Sequence, residues 1–303
     1  MIVFENINKI DIKIISDNLI IMIPKIIHQT WKTDKLPDIL EKIYKYNINI
    51  NKDFEYKLWT DDYTGLNIDN FLLKNYPKIY NIYSKINLGV QKSDLARLAI
   101  LHYYGGIYID LDILLLRSLN NLLDYENSEK LYFAFEPSEQ TKYLWNIDNY
   151  ICNAFFACSP NNKIIKKILD TVLDLYGKFG ETIFNQFNIF GSHIFRYVIS
   201  TYNNINLYEI IDTKKVYPIN DIKLDNLDII YNDIKKIKTG NYDNNCYMVH
   251  YWIHSNFESR NILYNFKYDN NLNIHHNIYN LFKEIYPNNK AILYDNNYIL
   301  KYN

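Results

Sequence analysis

The chain has 303 residues, a hydrophobic share of 48%, a charged share of 22%, and 33 Lys and Arg against 34 Asp and Glu. Those shares are those of a folded protein and exclude a disordered chain. With a formal net charge of −1 and no basic block, neither nucleic acid nor an anionic membrane is indicated as the main partner.

At the N-terminus, Glu5, Asp11 and Asp17 interrupt the run that a signal peptide or membrane anchor would need, so no membrane span and a cytoplasmic location are expected. The stretch IIMIPKIIHQTW (20–31) predicts a buried, parallel-type strand. It ends on His28 and Trp31, at the strand terminus where α/β sheets place ligand contacts. PDILEKIYKY (37–46) predicts a helix and FEYKLWT (54–60) a second strand. Helical periodicity then runs from Ile68 to Ile86 with a break at Pro77, and again from Leu88 to Tyr104.

In that second helix Leu95, Leu98, Ala99 and His102 form a packing face, and Asp94 and Arg97 share the neighbouring face. Alone, the latter would read as a surface ion pair. Gly105 and Gly106 end the helix, and IYIDLDILLL (107–116) predicts a strand interrupted at Asp110 and Asp112. Residues 130–136 and 150–159 predict two further core strands; a helix follows Pro160, and another spans Thr182 to Ile199, with or without an interruption at Gly191. CYMVHYW (246–252) is a last strand candidate, ahead of an amphipathic tail, and residues 201–245 are polar and ambiguous. Cys152, Cys158 and Cys246 are odd in number and lack metal-ligand spacing, which fits a reducing compartment. The 30 tyrosines sit in a chain rich in Asn, Ile and Lys, so a single Tyr or Asn carries little weight. The alternation favours an α/β fold with a mainly parallel central sheet and helical insertions at 62–90 and 160–200. No linker divides it, so a single domain over 1–303 is expected.

Residues i and i+2 of a strand face one side. Two carboxylates there repel unless a cation sits between them, so Asp110 and Asp112, straight after a glycine turn, point to a seat for a hard divalent cation holding a diphosphate. His250 is either a third ligand from another strand end or a satisfied core histidine. Trp31 is either a core anchor or a platform for a nucleobase. Asp94 could accept from ribose hydroxyls and Arg97 could meet a phosphate. Neither a P-loop nor G-x-G-x-x-G after a strand is present, so kinase and dehydrogenase chemistry have no motif behind them.

Four segments, IPKIIHQTWK (23–32), KSDLARLAILHYYGGIYIDLD (92–112), NAFFACSP (153–160) and VHYWIHS (249–255), resemble glycosyltransferase family 32 in order and spacing. That family contains a DXD sugar-binding region and includes yeast outer-chain α-mannosyltransferases. The central block also resembles the glucosylating domain of large clostridial toxins. The resemblance implies a GT-A (Rossmann-like) fold, with a motif-bearing core at about 20–256 and a helical tail over 257–303. It further implies a UDP- or GDP-sugar donor, a glycan or protein acceptor, Mn²⁺ or Mg²⁺ as cofactor, and retention of anomeric configuration.

On matching positions, the resemblance implies that Trp31 stacks on the base, with His28 on the same strand end. Asp94 and Arg97 would hold sugar and phosphate, and Tyr108 and Asp110 the ribose and metal shell. Asp112 would be the direct metal ligand, with His250 and Ser255 closing the site, and Asp110, Asp112 and Arg97 would carry the chemistry. The chain departs from the family pattern at Phe190, Gly191, Ser192 and at His254, Ser255, Asn256, segments expected near the acceptor or the sugar. Those departures keep open an alternative, a non-catalytic carbohydrate-binding protein on a decayed transferase scaffold.

Overall fold

The computed structural model describes residues 14–15, 18–19, 22–63, 65–126, 129–185, 190–202, 205–221, 245–253 and 259–285. A small antiparallel hairpin, β1 (Ile14–Ile15) and β2 (Asn18–Leu19), comes first. The central sheet has seven strands: β3 (Ile26–Trp31), β4 (Glu55–Thr60), β5 (Leu66–Asn67), β6 (Gly106–Ile109), β8 (Leu131–Phe135), β9 (Ile151–Cys158) and β10 (Tyr208–Ile211). Their order is β10-β8-β9-β6-β3-β4-β5. Pairing is parallel between β3 and β4, β3 and β6, β4 and β5, and β8 and β10, while β9 runs antiparallel to both its neighbours. This is the α/β, mainly parallel architecture that the alternation predicts. The reversal of β9 has a functional consequence: its N-terminal end arrives at the same sheet edge as the C-terminal ends of β3, β6 and β8.

A separate two-stranded ribbon, β7 (Ile113–Leu115) with β11 (Met248–His250), lies beyond β6. The residues between β6 and β7 form a turn in which Ile113 N–H donates to the Asp110 carbonyl at 3.1 Å. Asp110 and Asp112 therefore sit in a tight turn at a strand end, not on an extended strand. The turn, rather than strand alternation, sets the direction of the two carboxylates.

The helix α4 (Gly89–Tyr104) runs against β3, β6 and β9, with α2 (Ile68–Asn75), α3 (Pro77–Tyr83) and α6 (Lys163–Phe179) around it. Every residue from Asp94 to Leu101 is buried, so the helix is enclosed on all sides instead of presenting one packing face. It ends at Gly105 (φ 64°) and Gly106 (φ 92°). A Cβ on Gly105 would lie 2.6 Å from Pro160 Cδ, and one on Gly106 would lie 2.6 Å from the Ile26 carbonyl. Both the left-handed backbone and the close approach demand glycine.

One apolar cluster lies between the sheet and α4, α6 and α7 (Ser192–Ser200). A second fills the opposite face beneath β7 and β11. A third joins α1 (Asp38–Ile50) to the C-terminal helices α9 (Ser259–Asn265) and α10 (Ile274–Ile285), with α5 (Ser138–Trp145) and the short α8 (Thr213–Val216) elsewhere in the chain. Of the helix expected over 182–199, with or without a break at Gly191, the described residues show the broken form: a 3-10 turn at Gly180–Asn185 and then α7, which starts after Gly191. Cys152, Cys158 and Cys246 are buried and form no disulfide among the described residues. Among the described residues no helix is long and apolar enough to cross a membrane.

Two buried asparagines, Asn47 of α1 and Asn51 just past its end, hold the turn-bearing ribbon and the segment after it. Asn47 donates to the Ile113 carbonyl and accepts from Leu115 N–H, both at 2.8 Å, and Asn51 accepts from Leu119 N–H at 2.8 Å. Removing the Asn47 side chain strands a buried donor and a buried acceptor on β7. Asn47→Ala is expected to lower unfolding free energy by about 2–4 kcal/mol, measured by denaturant titration; a change below about 0.5 kcal/mol would contradict this account of the ribbon.

Candidate active site

Three chain segments meet at the sheet edge around the turn after β6. The Asp110 backbone N–H is fixed by the Ala154 carbonyl of β9 at 3.0 Å. Its Oδ1 accepts from Tyr108 Oη at 2.9 Å and faces Arg97 Nη1 at 3.4 Å. Asp112 is held by the late segment: Oδ2 accepts from Ile253 N–H at 2.7 Å, and Oδ1 lies 3.2 Å from His250 Nε2. Its carbonyl accepts from Tyr251 N–H at 3.1 Å. One ligand atom from each of Asp110, Asp112 and His250 lies within 4.8 Å of the others.

That set is mostly sequestered, with side-chain exposures of 29% for Asp110, 13% for Asp112 and 8% for His250. Burial raises the Asp110 carboxyl above the ordinary range; Arg97 opposes this and the neighbouring Asp112 charge adds to it. Burial works against a charged His250, yet the Asp112 carboxylate reverses the balance and holds the imidazole well above its usual value. The other ring nitrogen, Nδ1, has no hydrogen-bond partner among the described residues, while the Cys152 thiol, close to the ring, also raises the His250 pKa. Two converging carboxylates and an imidazole form a donor set that suits a hard or borderline divalent ion such as Mg²⁺ or Mn²⁺. The like charges crowded here are the repulsion such an ion would relieve.

Behind this group stands Arg97. Its guanidinium lies 3.1 Å from Asp94 Oδ1 through Nη2, donates to the Asn153 carbonyl, and covers the Tyr108 ring at 4.4 Å. A hydroxyl chain continues the network: Arg97 Nη2 to Ser93 Oγ (3.1 Å), Ser93 Oγ to Thr30 Oγ1 (2.7 Å), and Thr30 Oγ1 to Tyr108 Oη (2.8 Å). Asp94 also accepts from Asn153 Nδ2 at 2.7 Å. Burial pushes the Asp94 carboxyl up to about 6, with Arg97 pulling it down and Asp110 raising it further. Burial disfavours the Arg97 charge, but Asp110, Tyr108 and Asp94 more than compensate and raise its pKa. With side-chain exposures of 5% and 7%, the Arg97–Asp94 pair is buried, not the surface pair its spacing alone would suggest. Gly191 lies against it, and a Cβ there would come within 2.9 Å of Asp94 Oδ2.

Asp94, Arg97, Tyr108, Asp110, Asp112 and His250 are thus brought together, whereas His28 is not. His28 is fully buried, with Nε2 3.0 Å from the Gly105 carbonyl and Nδ1 accepting from Trp59 Nε1 at 3.1 Å. Both ring nitrogens are used inside the fold, which makes His28 a core residue that fixes the glycine turn. Burial lowers its pKa to about 3. The unfolded chain therefore binds a proton that the folded chain refuses between pH ~6.5 and ~3, and stability is lost as pH falls through that window. The raised carboxyls of Asp94 and Glu136 titrate in the opposite sense in the same range, so the His28 contribution is read as a difference. Between pH 6.5 and pH 5 the wild type should lose about 2 kcal/mol relative to His28→Gln in denaturant titrations, and identical acid profiles for the two proteins would contradict it.

Trp31 lies on the opposite face of β3 from Thr30, half-buried, with its ring 6.3 Å from Tyr264 and its indole N–H lacking a partner among the described residues. Ser255 and His254 lie outside the described residues. Two site-edge residues escaped the sequence reading. Asn153 stands inside an apolar strand run, where chain bias made any Asn a weak signal. Glu136 is the first polar residue after the β8 run, the same strand-end signal that marked Trp31.

A family model described as a glycosyltransferase sugar-binding region containing a DXD motif matches residues 37–129. An uncharacterized glycosyltransferase of Acanthamoeba polyphaga mimivirus is 31% identical over 205 residues, covering 66% of this chain and 74% of that protein. Inositol phosphoceramide mannosyltransferase 3 of Schizosaccharomyces pombe is 41% identical over 103 residues, 34% of this chain but 28% of that protein's length. Among solved structures, the PaToxG glycosyltransferase aligns with a TM-score of 0.45 at 20% identity, over 59% of this chain and 70% of that one.

Proposed function

The chain belongs to the glycosyltransferases with a DXD-containing sugar-binding region, and from that premise we propose that it transfers a hexose from a nucleotide sugar to a hydroxyl acceptor with retention of configuration. Mannose is the proposed sugar, on the strength of the named activity of the yeast relatives. The observation that carries this reading is the convergence of Asp110, Asp112 and His250 in front of the Arg97–Asp94–Tyr108 network.

Asp110, Asp112 and His250 would hold the divalent ion. When bound, it would neutralise negative charge on the departing diphosphate. Arg97 supplies a fixed positive charge at the same place, and its neighbours keep it charged and immobile. Asp94 and Asn153 offer an acceptor and a donor to the hydroxyls of the donor sugar. Trp31 offers an apolar face to the nucleobase, and Tyr108, locked by Thr30, keeps Asp110 from turning away.

The test is a screen of GDP-mannose, UDP-glucose, UDP-galactose and UDP-N-acetylglucosamine for turnover with Mn²⁺. We expect one donor to be turned over and EDTA to abolish the reaction. A protein that turns over none, and whose melting temperature no nucleotide with Mn²⁺ shifts, would contradict the proposal.

A further inference from the structure

Along the site edge, the strand order β3, β6, β9, β8 places Trp31, then Asp110, then Asn153, then Glu136. Adjacent strands lie ~4.8 Å apart, so this row spans ~14 Å. A donor laid along it with its base at Trp31 and its diphosphate at Asp110 would bring its sugar to Asp94 and Asn153. Glu136 is the next strand end beyond the sugar.

Glu136 has no part in the functions described so far. Its backbone N–H donates to the Tyr150 carbonyl at 2.8 Å, which fixes its position at the end of β8 opposite the start of β9. Its Oε2 accepts from Gln140 Nε2 at 2.9 Å. Gln140 is 2% exposed, and its Oε1 accepts from Asp221 N–H at 2.7 Å, so the donor that holds Glu136 is itself held. Among the described residues Gln140 is the one hydrogen-bond partner of the Glu136 side chain, which leaves the other oxygen available. Burial pushes the carboxyl up to about 8, against the pull of Gln140 and of the His250 charge. The carboxyl is half-buried, braced by Gln140 on one oxygen and, among the described residues, without a hydrogen-bond partner on the other, which keeps acceptor capacity for a polar ligand.

We propose that Glu136 is the acceptor-reading residue, its open carboxyl oxygen binding a hydroxyl of a polyol or sugar-ring acceptor next to the transferred sugar. This rests on the transferase reading above. Gln140 is then a positioning residue that sets the carboxyl's rotation. The competing role is purely structural, with Glu136 bracing the start of α5 through Gln140.

The experiment uses the full chain, Mn²⁺, the nucleotide sugar that the wild type turns over, and two probe acceptors, myo-inositol and methyl α-mannoside, with water as the reference acceptor. For Glu136→Gln and Glu136→Asp we expect the acceptor KM to rise and the ratio of transfer to hydrolysis to fall, each by about tenfold or more, with the donor KM unmoved. Transfer and hydrolysis falling together, an unaltered ratio, or loss of folding in both variants would assign Glu136 a structural role and overturn the proposal. A wild type that turns over no donor would instead sink the transferase reading itself, and this assignment with it.

Discussion

Asp112→Asn is expected to reduce sugar transfer by about 10²- to 10³-fold, the effect of losing several kcal/mol of charge stabilisation, while the protein stays folded. The geometry explains why the fold survives. Asn can keep a carbonyl oxygen for the Ile253 N–H that Asp112 now satisfies at 2.7 Å, so the late segment stays docked. What is lost is the negative charge facing His250 and the second carboxylate of the cation seat. Steady-state rates with the donor found in the screen, alongside a melting curve, check this. Unchanged turnover would mean that the aspartate turn is not where the diphosphate is handled.

Arg97→Met should be the most destabilising single change in the site, at about 3–5 kcal/mol, because it leaves Asp94 buried without its countercharge. The long apolar Met side chain still covers the Tyr108 ring, so the loss is electrostatic more than steric. In the double variant Asp94→Asn with Arg97→Met, both charges of the pair are gone, and most of that stability should return while transfer stays abolished. Denaturant titrations of the four proteins give the coupling directly. Strict additivity would show that the 3.1 Å pair is not energetically linked.

The large features of the fold were legible because they rest on local chemistry. Gly105 and Gly106 after an apolar helix, β-branched runs ending in polar residues, and Pro77 inside a helical stretch each point to one local structure, and the structure has them. Less legible were features set by contacts between distant segments. The reversal of β9 is decided by how it closes onto β6 and β8, and nothing in NAFFACS marks a strand's direction. His28 looked like a strand-end ligand because sequence shows position and not which way a side chain faces; Gly105 and Trp59, far along the chain, claim both nitrogens. Spacing alone could not tell that the Asp94–Arg97 pair is buried, because i,i+3 spacing is the same whether or not α6 and the sheet enclose the helix. Asn47 gave no signal at all, since its partners lie on a ribbon more than 60 positions away.

The most direct test of the central claim, that Asp110, Asp112 and His250 together seat a divalent ion beside a nucleotide diphosphate, is a Mn²⁺ titration followed by electron paramagnetic resonance. It is run with GDP and then UDP, on the wild type and on Asp112→Asn. The wild type should bind one Mn²⁺ per chain, more tightly with the matching nucleotide, and the variant should lose that site. Equal Mn²⁺ binding by the two proteins, or no nucleotide-dependent binding by either, would contradict it.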